Sequence, residues 1–177
     1  MLNRCKPDII IDRLESLDQQ ELLDRGIKGV LLDLDNTLCP WGSHLVADSR
    51  RDWIKRAQAN FKLCIVSNTI KGRRLCAVGA DLGIPTVARW GLGRKPFGGG
   101  IQAGLKITGT RPEESAMIGD QIFADILGGN SAGLLTVWIP PLQPKEFVST
   151  MCLRSAERLV LKRLGCEIPV CPEPEHG

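Results

Sequence analysis

The stretch "GVLLDLDNTLCPWG", residues 29–42, begins as a buried strand and then changes character. Val30, Leu31, Leu32 and Leu34 suit a sheet core, yet Asp33 and Asp35 stand in the same run, two positions apart. Residues i and i+2 of a strand share a face. Two carboxylates there cost desolvation and mutual repulsion unless a cation sits between them or one keeps a proton. A hard divalent cation with oxygen ligands meets that need, and Mg²⁺ held by a few carboxylates and a substrate phosphate is the common arrangement.

On either side, short β-branched runs alternate with helical stretches. Residues 28–35, 62–68, 84–89, 115–120 and 134–139 read as five strands; 47–60, 71–82, 97–107, 122–132 and 145–164 read as helices, the last of them amphipathic. Such alternation implies βαβ units and a parallel sheet covered on both faces. The expected fold is α/β, a single Rossmann-like domain over residues 1–168 with a five-stranded parallel sheet. Residues 1–27 form an N-terminal extension, and the Pro-rich stretch 169–177 is expected to be a flexible tail. Ligands of such sheets bind outside the carboxyl ends of the strands, where strand order reverses. The polar residues fall at those ends: Asp33 and Asp35 after the first strand, Ser67 and Asn68 after the second, Arg94 and Lys95 after the third, Asp120 after the fourth.

The chain has 177 residues, enough for one domain with a real core. Hydrophobic content of 43% and charged content of 24% are ordinary for a globular protein, and a net charge of +3 gives no bulk argument for nucleic acid. Seven cysteines (Cys5, Cys39, Cys64, Cys76, Cys152, Cys166, Cys171) form no CxxC, and there are few histidines to complete a zinc site. They are expected to be reduced thiols of a cytosolic protein, with Cys166 and Cys171 the one pairing left open. No apolar run approaches the roughly 20 residues of a membrane span. The N-terminus, with Asp8, Asp12 and Glu15, lacks a signal pattern. A cytoplasmic location follows as the expectation, with peripheral contact at the inner membrane face left open.

Three acids, a lysine, a hydroxyl and helix N-termini at one sheet edge describe a phosphoryl site, where catalysis is mostly positioning and charge neutralisation. "DLDNT" (residues 33–37), "VSNT" (66–69), "RKP" (94–96) and "GDQIFAD" (119–125) resemble, in order, the four motifs of the haloacid dehalogenase (HAD) phosphatases. "KPDIIIDRLESLDQQELLDRGIKGVLLDLDNTL", "RKPFGGGI", "GDQIFADILGGNSAG" and the C-terminal "EFVSTMCLRSAERLVLKRL" extend the likeness to the YqeG-type branch over nearly the whole chain. That branch is similar to the phosphatidylglycerophosphate phosphatases of mitochondria and plastids. The resemblance implies a Mg²⁺-dependent phosphomonoesterase working through an aspartyl-phosphate. Asp33 would be the nucleophile and a metal ligand. Asp35 would be the proton donor and later the base, with its backbone carbonyl on the metal. Ser67, Asn68 and Lys95 would hold the phosphoryl oxygens. Asp120 would be a metal ligand, and Asp125 an outer acid or the partner of Lys95. Ser67 stands where a threonine is common, Thr69 where many YqeG-type chains have Asn, and Ala124 where Thr is frequent; none of these removes a catalytic group.

HAD enzymes commonly carry a cap inserted after the first or third strand region, but residues 37–47 and 89–95 are too short for one. A capless, open site suits substrates that bring their own bulk, and the resemblance points to phosphatidylglycerophosphate. The other classes are a small metabolite or phosphoprotein, a nucleic-acid 3′-phosphate ("DSRRDWIKR", "KGRR"), and a non-catalytic phosphate-binding scaffold. No specific nucleic-acid partner is expected. "GLGRKPFGGG" lacks the GxGxxG order of a dinucleotide loop, and His44 reads as a loop histidine. Trp41, Trp90, Leu92 and Leu142 should emerge at the aspartate edge. Lys71, Arg73, Arg74, Arg89 and Arg94 lie near them, and the last helix adds Arg154, Arg158, Lys162 and Arg163. Together they suggest a membrane-facing edge, with the bilayer in the role of the cap.

Overall fold

A computed structural model describes residues 2–69, 72–89, 91–143 and 148–169; the side chains of Leu92 and of residues 148–152 fall outside the description. The elements are β1 (Ile9–Ile10), α1 (Gln19–Asp24), β2 (Gly29–Leu32), α2 (Asp48–Asn60), β3 (Lys62–Ser67), α3 (Gly72–Leu82), β4 (Thr86–Ala88), α4 (Gly99–Thr108), β5 (Ser115–Gly119), α5 (Leu127–Ala132), β6 (Leu135–Trp138) and α6 (Val148–Arg163). The strands form one parallel sheet in the order β1-β6-β5-β2-β3-β4. Chain order runs outward from β2 to β3 on one side and returns to β5 on the other. The crevice of a switch point therefore opens at the carboxyl end of β2.

Helices cover both faces, which is why β2 reads as an unbroken apolar run: all four of its residues are buried. Val30, Leu32, Ile65 and Ile118 point to the face filled by Trp53 and Ile54 of α2 and Leu75 of α3. Leu31, Val66 and Met117 point to the opposite face, against Ile101 and Leu105 of α4. A third cluster, with Trp138, Ile122, Ile126 and Leu161, seats α6 beside β6. Residues 2–27 enter the first core directly, with Leu14 and Leu22 fully buried and Leu17 O accepting from Trp53 Nε1 at 3.0 Å.

The sheet has six strands where the sequence pattern shows five. The additional strand, β1, is two residues long, too short for alternation to register. Its pairing is set by Asp8: Thr136 N and Thr136 Oγ1 donate to Asp8 Oδ2 at 2.8 and 2.9 Å, and Asp8 N donates to Thr136 O at 3.0 Å. The stretch 122–132, expected as one helix, opens with a π-helical turn (Ile122–Ile126) before α5 begins. One-turn π segments recur at functional sites because the extra residue re-aims a side chain; here that turn carries Asp125. The first turn of the expected 145–164 helix, Cys171 and the tail from residue 170 lie outside the described residues.

Candidate active site

The site starts where β2 runs out. Asp33 N still donates to Ile118 O of β5 at 2.9 Å, so the nucleophile candidate is held by the sheet ladder. Its side chain is buried. Three residues on, Asn36 adopts φ +60°, a left-handed conformation that Asn tolerates better than most residues. The turn it makes carries Asp35 out of the sheet, where Asp35 Oδ1 accepts from Gly42 N at 3.3 Å.

Lys95 is the centre of the buried charge. Only 2% of it is exposed, and Nζ lies 2.6 Å from Asp33 Oδ1, 2.6 Å from Asp125 Oδ1 and 2.7 Å from Val66 O. Asn68 fixes its backbone from both sides, accepting from Lys95 N at 2.8 Å and donating to Lys95 O at 3.1 Å. Burial alone would push the ammonium toward neutrality, but Asp125 and then Asp33 outweigh it and hold Lys95 above its ordinary value. Burial raises the Asp33 carboxyl to about 7, with Lys95 opposing and Asp125 adding to the rise. Burial likewise lifts Asp120 well above the usual carboxylate range, against the pull of Arg154.

One carboxylate oxygen from each of Asp33, Asp120 and Asp125 lies within 4.8 Å of the other two, and all three residues are buried. Asp120 Oδ1 has no hydrogen-bond partner among the described residues. The other oxygen, Oδ2, is ion-paired to Arg154 Nη2, and Asp120 O accepts from Arg154 Nη1 at 2.7 Å and from Trp138 Nε1 at 2.8 Å. Asp125 reaches the cluster because Gly119 has no side chain: a Cβ there would overlap the Asp125 carboxyl. Gln121 N donates to Asp125 Oδ2 at 3.1 Å and completes its orientation.

Ser67, buried at the end of β3, accepts from Thr69 N at 3.2 Å through Oγ. Above these groups opens a pocket of about 380 Å³, with Trp41, Thr69 and Gln121 on its walls. Among the described residues no cap domain is inserted over it. The fold thus brings Asp33, Ser67, Asn68, Lys95 and Asp125 to one pocket, with Asp120 beneath it. The Asp35 carboxylate lines the same pocket but turns from the buried trio to Arg74, whose Nη2 lies 2.5 Å from Oδ1 and 2.6 Å from Oδ2.

Two arginines therefore do other work than the membrane-facing role their sequence positions suggest. Arg74 holds Asp35 and Arg154 holds Asp120, whereas Arg73, Arg89, Arg94, Arg158, Lys162 and Arg163 are exposed. A cation in the first turn of a helix opposes the macrodipole and calls for an anion elsewhere, but Arg73 shares that turn and is exposed, so the pattern does not single out Arg74. Trp41 is exposed, as the loop reading expects, but Leu142 is half-buried and its N–H donates to Asn36 O at 3.2 Å. Leu45 and Phe97, 68% and 65% exposed in the loops after β2 and β4, were not singled out by the sequence pattern. Lys71, Trp90 and the Leu92 side chain are outside the described residues. Cys5, Cys39, Cys64, Cys76 and Cys166 are free thiols.

The sequence profile of the mitochondrial PGP phosphatase family matches residues 2–141. The chain belongs to this family. It is a phosphatase of the HAD type, and its relatives agree with that assignment. The "Probable phosphatase YqeG" of Bacillus subtilis (strain 168) is 30% identical over 159 residues, which cover 89% of this chain and 90% of that one. "Phosphatidylglycerophosphate phosphatase 1, chloroplastic/mitochondrial" of Arabidopsis thaliana is 32% identical over 167 residues. The match takes in 89% of this phosphatase and 47% of the plant protein, so the chain spans about half the length of that relative. Among solved structures, an uncharacterized protein from Listeria monocytogenes serotype 4b superposes with a TM-score of 0.55 at 20% identity, over 77% of this chain and 99% of that one, a likeness of fold. The family match ends at Pro141, ahead of α6, so Arg154 of this PGP-family phosphatase lies beyond it.

Proposed function

We propose that this phosphatase is a Mg²⁺-dependent phosphomonoesterase that works through an aspartyl-phosphate on Asp33 and takes phosphatidylglycerophosphate as substrate. The observation that carries the chemistry is the buried trio Asp33, Asp120 and Asp125 around Lys95, at the floor of an open pocket. The donor set fits a hard divalent cation: it is all oxygen, carries more carboxylates than cations, and leaves Asp120 Oδ1 without a hydrogen bond among the described residues. Asp33, Asp120 and the Asp35 carbonyl would hold Mg²⁺, with Asp125 in reach. Bound there, the ion would supply neutralising charge for the phosphoryl group.

The chain's own groups account for the rest. Asp33 attacks phosphorus, the ester P–O bond breaks, and the leaving oxygen takes a proton from Asp35. Lys95, Ser67 and the N–H groups after β3 bind the non-bridging oxygens. Asp35 then takes a proton from water as that water attacks phosphorus, which releases inorganic phosphate and restores the Asp33 carboxylate. The net reaction is hydrolysis of a phosphate monoester to alcohol and phosphate.

The lipid substrate is supported by the relative's name, by the open pocket and by the edge around it. Trp41, Leu45 and Phe97 stand exposed on loops after β2 and β4, and Arg73, Arg89 and Arg94 are exposed nearby in sequence. Each cation near an anionic bilayer contributes about 1 kcal/mol, and Trp favours head-group depth. Among the described residues no helix is long and apolar enough to cross a membrane, so contact at this edge would be peripheral. The test is phosphate release with Mg²⁺ from micellar phosphatidylglycerophosphate, sugar phosphates, a phosphopeptide and a 3′-phosphorylated oligonucleotide. Preference for a water-soluble ester over the micellar lipid would refute the lipid reading and leave the phosphatase assignment standing. Vesicle co-sedimentation of wild type, Trp41→Ala and Phe97→Ala tests the edge.

A further inference from the structure

Arg154 stands in a helix outside the segment matched by the family profile, yet it reaches the floor of the site. α6 packs on β6 through Leu161 and the Trp138 ring. From that seat Arg154 approaches Asp120 twice: Nη1 donates to the backbone carbonyl at 2.7 Å, and Nη2 pairs with Oδ2. Glu157, one turn further on and 3% exposed, locks the same surface. Its Oε2 accepts from Arg154 Nη1 at 3.3 Å, and its Oε1 accepts from Phe123 N at 3.0 Å in the π-helical turn that carries Asp125. A planar guanidinium that holds a carbonyl and a carboxylate of one residue fixes that side chain's rotation as an ammonium cannot. The other oxygen, Asp120 Oδ1, is buried and has no hydrogen-bond partner among the described residues, and the Asp120 carboxylate shares an oxygen cluster with Asp33 and Asp125.

We infer that Arg154 is a positioning residue of the metal site, presenting Asp120 Oδ1 to the divalent cation, and that α6 is a working part of that site. The inference rests on the metal reading above. Groups that orient a ligand from behind typically change metal affinity about 10–100-fold when removed. A purely electrostatic role would act in the opposite direction, since Arg154 is itself a cation beside the proposed ion.

The experiment is direct metal binding by the full-length chain, with Mn²⁺ followed by electron paramagnetic resonance and Mg²⁺ by calorimetry. Wild type, Arg154→Ala, Arg154→Lys and Glu157→Gln are compared, with melting curves to verify folding. Positioning predicts that Arg154→Ala weakens Mn²⁺ binding about 10–100-fold. It predicts that Arg154→Lys, which keeps the charge and loses the fork, recovers less than half of that loss on a logarithmic scale. Arg154→Lys also guards against an alanine variant that fails to fold. Binding by Arg154→Ala as tight as wild type or tighter overturns the inference, as does full recovery by Arg154→Lys. Wild type that binds neither ion overturns the metal reading itself, a result distinct from equal binding across the series.

Discussion

Arg74 and Asp35 are joined through a single nitrogen: Nη2 sits between both carboxylate oxygens, while Nη1 donates to Ser43 O at 2.7 Å. The guanidinium thereby ties the proposed proton donor to the loop after β2. Loss of this tie should misplace Asp35 rather than remove it, and misplacement on the ångström scale can cost about 10²-fold in rate. Arg74→Ala should lower kcat by about 10–100-fold with a smaller change in KM, and Arg74→Lys should fall between. Steady-state kinetics on one phosphomonoester decides this, and a wild-type kcat in Arg74→Ala would show that Asp35 needs no such support.

Asp33→Asn should abolish turnover while leaving the fold intact. The amide is a poor nucleophile, and the substitution removes one charge from a crowded acidic cluster. Lys95 keeps Asp125 at 2.6 Å, so its ammonium is not left unpaired. Phosphate release with Mg²⁺, and thermal melting in EDTA at about pH 8, where the Asp33 carboxyl is ionised, should give an inactive protein that melts at or above the wild-type temperature. Retained activity would remove Asp33 from the nucleophile's role.

The raised Asp33 carboxyl makes the metal-free protein sensitive to pH in a definite direction. Burial lifts it to about 7 in the fold, against about 3.9 in an unfolded chain. The stability this group contributes is therefore fully present below about 4 and lost as pH rises through about 7. Asp120, also raised, acts in the same sense. In EDTA the melting temperature should fall between about pH 5.5 and about pH 8.5, and Asp33→Asn should flatten part of that slope. A wild-type melting temperature that climbs over the same interval contradicts the burial argument.

Gly119→Ala tests how the acid after β5 reaches Lys95. The new Cβ would occupy the space of the Asp125 carboxyl, and overpacking of this kind costs about 1–3 kcal/mol. Denaturant unfolding should show that loss together with a fall in turnover. Gly72→Ala is the matched control, because a Cβ there meets nothing within 4 Å and a helical alanine is favoured over glycine. If both variants behave alike, the close approach at Gly119 carries no weight.

The alternation of strands and helices was legible because a parallel sheet covered on both faces makes near-continuous apolar runs, and β2, β3 and β5 are such runs. The site residues at their ends were legible for a related reason: carboxylates and a lysine stand out at the edge of apolar strands. Arg74 and Arg154 were not, because an arginine on an amphipathic helix looks the same whether it faces water or a buried acid. Only the packing of α3 and α6 distinguishes the two. β1 escaped for want of length, the exposed Leu45 because a short loop has no periodicity to betray which side chain is left outside, and Phe97 because the helix expected from residue 97 begins at Gly99.

The pairing of β1 with β6 has a consequence for how the chain is made. Asp8 meets Thr136 across 128 positions of sequence, so the first strand of the sheet pairs with the last. During synthesis β2, β3 and β5 can associate while Ile9 and Ile10 wait without a template. Contacts of such long separation are entropically late. The sheet edge beside β5 stays unpaired until Trp138 has left the ribosome, and an open edge is where a nascent chain is most prone to pair with another. Closure of this edge should come late in maturation of the domain, followed by the seating of α6 on β6 that brings Arg154 to Asp120.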